Sequence, residues 1–209
     1  MDNYSSFFIN LRGKKCLVVG GGKIAARKIV SLLESEADVT CIAKEVLAGE
    51  ISALCNDNKI KLAVREISLE DLNDVFVIIA ATNDRCVNKK IYDYVKNKNI
   101  LINSVDDTAN SNFIFPAVLD RGVLKVAVST TGHFPMLAGE IRNLIGSVLG
   151  EPIGQIVETL SVIRKKSYEK ISDEKERNMY LKKAAALIHN HKNENLMDEI
   201  EKLRNEMEE

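Results

Sequence analysis

The feature that most constrains this chain is a run of small residues, VVGGGKIAARK from Val18 to Lys28, set between an apolar stretch and an amphipathic one. The residues before it, CLVVG, read as a buried strand, and ARKIVSLLES after it carries apolar residues at helical spacing. Gly20, Gly22 and Ala25 fit the pattern G-x-G-x-x-A. In that pattern small residues let the backbone turn tightly, approach a diphosphate and pack the new helix on its strand. A diphosphate placed there faces the positive end of the helix. Taken alone, the run is also compatible with a Gly-rich turn that holds no ligand.

The same strand-helix grammar continues to about residue 112. Strands are expected over Lys15–Gly20, Asp38–Ala43, Lys61–Ile67, Val75–Thr82 and Ile100–Val105, and helices over Ile24–Ser35, Cys86–Lys96 and, more weakly, Val46–Asn56. Strands that are almost continuous in Val, Ile and Leu, separated by helices, imply a parallel sheet covered on both faces. This is an α/β, Rossmann-type domain over residues 1–112. From Asn112 to Thr130 two β-like runs flank Asp120, Arg121 and Gly122, an antiparallel hairpin that opens a second module, 113–148. A helical domain is expected over 149–209, from patterns at Ile153–Ile171, Asp173–Asn190 and Asn195–Met207 after an earlier helix at Met136–Val148. Asp173 with Glu176 reads as a helix-capping pair. In the last helix Leu196, Ile200, Leu203 and Met207 form a seam for a partner helix, within the subunit or across a dimer.

Charge excludes some partners. Lys and Arg total 29 against 30 Asp and Glu, a net charge of −1, so no global field favours nucleic acid or a membrane surface. The apolar run Val75–Ala81 is too short to cross a bilayer, and MDNYSSFF lacks the charged-then-apolar layout of a signal peptide, so a cytoplasmic protein is expected. Cys16, Cys41, Cys55 and Cys86 form no CxxC, and His189 and His191 do not share a helix face, so no metal site is expected.

In such a sheet ligands gather beyond the carboxyl ends of the strands. After the second strand come Lys44 and Glu45, where a carboxylate would hold the adenosine ribose and a cation would suit a 2′-phosphate, leaving NAD and NADP both open. After the fourth, Ala81, Thr82 and Asn83 face the nicotinamide half, while Asn83 or Asp84 also suits a helix cap. After the fifth, Asp106 and Asp107 offer either a general base or turn-forming carboxylates. Ser129, Thr130, Thr131 and Gly132 precede a helix and suit an anion or a cap, and His133 is either a titrating group or a surface residue. Tyr92 and Lys96 match the Y-x-x-x-K pair of short-chain dehydrogenases but fall on the wrong crossover, and read as packing and a solvated lysine.

Five blocks in order, VVGGGKIAARK, VIIAATNDRCVN, INSVDD, FIFPAVLDRG and VAVSTTGHFPMLAGEIR, resemble the precorrin-2 dehydrogenase family, which includes the N-terminal part of siroheme synthase. The likeness runs from about Tyr4 to Arg142. It implies NAD-dependent removal of two hydrogens from precorrin-2 to give sirohydrochlorin, with ferrous iron as a further substrate in members that also act as ferrochelatases. It implies a homodimer joined through the region after the Rossmann domain, with the helical domain completing the cleft. Residue by residue, Lys23 and Ile24 match NAD contacts at the loop, as Lys44 and Glu45 do after the second strand. Asp106 matches the family's essential aspartate, Ser129 a serine bordering the tetrapyrrole, and Arg142 a helix arginine suited to substrate carboxylates. Arg27 and His133 would add positive charge for the same carboxylates. Four positions depart from the family pattern. Ser104 replaces an apolar residue, Thr108 a proline, Thr131 a glycine, and Gly139 stands where arginine is common. With 209 residues the chain leaves no room for a methyltransferase domain, so precorrin-2 is expected from another protein. A non-catalytic, dimeric NAD-binding or redox-sensing module is the alternative from another functional class.

Overall fold

The computed structural model describes residues 4–105, 107–190 and 195–207. Among these, five parallel strands carry the first half of the chain: β1 (Lys15–Val19), β2 (Asp38–Ala43), β3 (Lys61–Val64), β4 (Val77–Ala80) and β5 (Leu101–Ser104). Their spatial order is β3-β2-β1-β4-β5. β1 is central, with Val18 opposite Cys41 on one side and Ile79 on the other. Successive side chains take opposite faces. Cys16 and Val18 therefore enter one apolar layer with Ala25, Ala26, Ile29 and Leu32 of α1 (Lys23–Glu34) and Ile51 of α2 (Gly49–Asn56). Leu17 and Val19 enter the other with Ile91 and Val95 of α3 (Arg85–Val95). Because both faces are buried, these strands cannot alternate apolar with polar residues. Val18, Ile29, Ile78 and Ile79 are fully buried, each stabilising the unit by about 2 kcal/mol.

β3 stops at Val64, short of the expected Ile67. Arg65 N still donates to Ala43 O at 2.9 Å, and then the chain leaves the sheet. The Arg65 guanidinium donates to both oxygens of Asp71 at 2.7 Å, and Asp71 with Ser68 forms a capping box over the 3-10 turn Leu69–Leu72. This local network outcompetes the β propensity of Ile67. The crossover between β3 and β4 thus holds one short turn where a parallel connection usually holds a helix. At the other edge, Asn112 substitutes for a further strand: its Oδ1 accepts from Ile102 N at 2.7 Å and its Nδ2 donates to Ile100 O at 2.8 Å, covering β5.

The chain divides into two units, the first ending at Phe115 and the second beginning at Pro116. In the second, β6 (Ala117–Arg121) and β7 (Leu124–Val128) form the expected hairpin. It closes over Gly122 and Val123 alone; Asp120 and Arg121, expected in the loop, pair with Lys125 and Leu124. α4 (Pro135–Leu149) packs on this hairpin, followed by α5 (Ile153–Lys170), α6 (Glu174–Ala186) and α7 (Leu196–Glu206). Ile153, Ile156 and Ile163 share a core with Leu196, Ile200 and Leu203. The α7 seam is thereby filled inside its own unit. Asp173 Oδ1 accepts from Glu176 N at 2.8 Å, the expected cap of α6. Among the described residues no helix is long and apolar enough to cross a membrane.

Candidate functional site

Gly20, Gly21 and Gly22 follow β1 and form one wall of a cavity of about 760 Å³ in the first unit, within the size range of small-molecule and cofactor sites. Each glycine is required for a different reason. Gly20 has φ +135°, and a Cβ there would lie 2.3 Å from Ala81 O. A Cβ on Gly21 would lie 2.0 Å from Glu45 O, while the Gly21 carbonyl accepts from Leu47 N at 2.9 Å and Ala48 N at 3.0 Å. Gly21, the middle residue of the motif, was not singled out in the sequence, yet it ties the loop to Leu47 and Ala48 beyond β2, while Gly20 N donates to Ile42 O of β2 itself at 2.9 Å. Around Gly22 no atom lies within 4 Å of a Cβ position. It is the N-cap of α1, which has no side-chain cap and no acidic residue in its first turn. The first amides of α1 thus have no side-chain cap at the positive end of the helix. α3 differs: Asp84 Oδ1 accepts from Cys86 N at 2.9 Å and Val87 N at 3.2 Å. Of these two helix starts, α1 is the one left for an anion.

Beyond β2, Lys44 and Glu45 line the cavity. Lys44 Nζ lies 2.9 Å from Glu66 Oε1. The hydrogen bond and charge of Glu66 raise the Lys44 pKa, and the field of Asp84 adds to this. Beyond β4, Ala81, Thr82 and Asn83 also line the cavity. Thr82 Oγ1 lies 2.7 Å from Asn88 Oδ1 and accepts from Asp84 N at 3.2 Å, and Asn88 Nδ2 donates to Thr82 O at 3.0 Å. Asp84 is the cap, and Thr82, although held by Asn88 and Asp84, borders the cavity with Ala81 and Asn83. The opposite wall is the crossover, with Arg65, Glu66, Ser68 and Leu69. These residues were not predicted, although S-x-x-D at Ser68–Asp71 was a readable capping signal. The Arg65 guanidinium holds the Asp71 carboxyl well below the usual carboxylate range.

The fold therefore brings Gly20, Gly22, Lys44, Glu45, Ala81, Thr82 and Asn83 around one cavity. Lys23 and Ile24 are exposed in the first turn of α1 and do not line it. Asp106 and His191 lie outside the described residues. The neighbouring Asp107 caps the turn Thr108–Asn110, accepting from Asn110 N at 3.2 Å and Asn110 Nδ2 at 2.6 Å. Tyr92 packs against the core, as expected, and Lys96, expected as a solvated lysine, pairs at the surface with Asp93 at 2.9 Å.

Ser129, His133 and Arg142 belong to the second unit. Ser129 Oγ accepts from Thr131 N at 3.0 Å, and Thr130 Oγ1 accepts from Phe134 N at 3.1 Å, where α4 begins. His133 Nδ1 lies 3.1 Å from both Thr130 O and Thr131 Oγ1. Thr131 has φ +52°, a left-handed conformation that costs an L-residue about 1–2 kcal/mol. Arg142 Nη1 donates to Val118 O at 3.4 Å, and its buried Nε has no partner among the described residues. Among the described residues no group of three or more His, Cys, Asp or Glu could hold a metal ion.

A family model described as NAD(P)-binding matches residues 7–117. Siroheme synthase of Neisseria meningitidis serogroup C is 37% identical over 196 residues, which is 91% of this chain and 40% of that protein. Siroheme synthase of Zymomonas mobilis is 33% identical over 190 residues, again 91% of this chain and 40% of the relative. The chain thus spans about two fifths of the length of these curated relatives. A solved structure, "SirC, precorrin-2 dehydrogenase", superposes with a TM-score of 0.75 at 28% identity, over 95% of this chain and 100% of that one. With the glycine loop, the uncapped α1 and the cavity in place, the chain belongs to the NAD(P)-binding family whose model it matches, and it is similar to siroheme synthase and to SirC, precorrin-2 dehydrogenase.

Proposed function

We propose that this chain removes two hydrogens from precorrin-2 to give sirohydrochlorin, with NAD as oxidant, as a step toward siroheme. The observation that carries the reading is the likeness to SirC, precorrin-2 dehydrogenase, over the whole of that chain. The dinucleotide cavity of the first unit supports it. In this reading the amides at the start of α1 hold the diphosphate, and Gly22 leaves the space for it. Lys44 and Glu45 meet the adenosine ribose, and Ala81, Thr82 and Asn83 border the nicotinamide half. When bound, the nicotinamide supplies a hydride acceptor. The second hydrogen leaves as a proton, and the family resemblance assigns its acceptance to Asp106. The same resemblance assigns Ser129 and Arg142 to the carboxylate-rich tetrapyrrole, and His133 adds positive charge for its carboxylates.

A homodimer belongs to the same proposal. Phe134, Leu137, Ile141, Leu144 and Val148 recur at helical spacing along α4 and are all exposed, with Leu144 at 64%. Such a stripe marks an association surface, and a second copy of the chain is the occupant proposed. A cytoplasmic location is likewise proposed.

The test is spectral. Purified protein with NAD and precorrin-2 is expected to develop the sirohydrochlorin absorption spectrum, and absence of turnover with either nicotinamide cofactor rejects the reading. Tight NAD binding without any tetrapyrrole binding would instead support a sensing module. Asp106→Ala is expected to bind NAD normally and lose most activity. Ferrous iron as a second substrate is tested separately, by its uptake into supplied sirohydrochlorin without NAD.

A further inference from the structure

Lys44 stands just beyond the tip of β2, where a dinucleotide fold meets the adenosine ribose; a cation there is what a 2′-phosphate requires. In this chain that cation already has a partner, since Glu66 Oε1 lies 2.9 Å from Lys44 Nζ. Glu45 and Asp84 line the same cavity and add negative charge. Arg65, a second cation on this wall, has both terminal nitrogens on Asp71 at 2.7 Å. Lys44 and Arg65 are thus matched by carboxylates from the β3–β4 crossover, while Lys90 lines the cavity from α3. The crossover keeps Glu66 in place, because Arg65 N is tied to Ala43 O at 2.9 Å and the turn behind it is closed by the Ser68–Asp71 capping box.

We propose that Glu66 is the residue that restricts this site to NAD over NADP. Its carboxylate occupies Lys44 and, with Glu45 and Asp84, gives the rim a negative field that repels a 2′-phosphate dianion. The ribose hydroxyls of NAD can donate to those carboxylates, whereas an ionised phosphate only accepts. Selectivity then comes from a repulsive element as well as an attractive one. The inference rests on the dinucleotide reading of the cavity.

The test compares Kd for NAD and for NADP, measured by calorimetric titration on the full chain. The wild-type protein is expected to favour NAD. Glu66→Gln keeps the side-chain shape and releases Lys44, so the ratio of Kd for NADP to Kd for NAD should fall about tenfold, the scale of one charge-assisted phosphate contact. Adding Lys44→Met to that variant should return the ratio toward its starting value. The gain should also shrink as salt is raised, as expected for an exposed charge. An unchanged ratio in Glu66→Gln, equal weakening of both cofactors, or a wild type that binds NADP as well as NAD overturns the proposal while leaving the dinucleotide site standing. A wild type that binds neither cofactor rejects the site itself and this proposal with it.

Discussion

Two adjacent glycines should fail in opposite ways when each is replaced by alanine. A methyl on Gly21 would lie 2.0 Å from Glu45 O and 3.0 Å from Val46 Cα, both backbone atoms, so the loop after β1 or the one after β2 must move. That movement breaks or stretches the bonds from Leu47 N and Ala48 N to Gly21 O, worth about 1 kcal/mol each. Overpacking adds about 1–3 kcal/mol. The total, about 3–5 kcal/mol, is a large part of the stability of an ordinary domain and should lower Tm by about 10 °C. Gly22→Ala meets no protein atom within 4 Å, and an alanine N-cap costs only about 0.5 kcal/mol. Its methyl, however, stands in front of the amides of α1. Weakening one charge-assisted phosphate contact reduces affinity about 10- to 100-fold. Thermal unfolding by circular dichroism and calorimetric titration with NAD separate the two effects. A Gly21→Ala protein within about 2 °C of wild type, or a Gly22→Ala protein that binds NAD undiminished, would refute the reasoning.

Ser104 is buried and its Oγ has no partner among the described residues; Ser104→Ala should therefore stabilise by about 1 kcal/mol, and a lower denaturation midpoint in urea would show that the hydroxyl has a partner. Burial, with Arg27 adding, lowers the Lys28 pKa from 10.5 to about 8, its Nζ lying 3.6 Å from the centre of the Phe115 ring. The unfolded lysine keeps its proton to higher pH than the folded one, so this group's contribution to stability should rise with pH between about 8 and 10.5. Burial moves Cys16 and Cys41 the other way, to about 11, and their contribution falls as pH rises above 9.0. Urea unfolding of wild type and Lys28→Met across that range isolates the lysine, because the thiols are common to both; a difference that does not change with pH contradicts the assignment. Leu144→Glu places a charge in the apolar stripe of α4 and should convert a dimer to a monomer in sedimentation, while an unchanged dimer removes this face from the interface.

Much of the architecture was legible because it follows from local pattern. Runs such as CLVV and VIIA could only be strands buried on both faces, and the stripes of α1 and α7 specify which side of each helix is covered. Gly20, Gly22 and Ala25 announced the turn, and five ordered motifs named the family. The lower-resolution part of the reading concerned choices between competing partners. Ile67 had strand propensity, but the Arg65–Asp71 fork and the Ser68 cap pulled it, with Glu66, into a crossover. Asp120 and Arg121 suited a loop, but cross-strand pairing with Lys125 and Leu124 extended the hairpin over them. The α7 seam fitted any apolar partner, and only the assembled core assigned it to α5.

The site divides along the same line. Sequence alone determined that a dinucleotide loop opens the chain, because backbone turn, helix start and side-chain size are all properties of neighbouring residues. Tertiary structure decided that Gly21 is as constrained as Gly20, since its obstacle is Glu45, a residue on the next strand's loop. It also decided that Lys44 faces the cavity paired to Glu66. Distances between residues that are remote in the chain are set by strand order and register, and no local pattern encodes them.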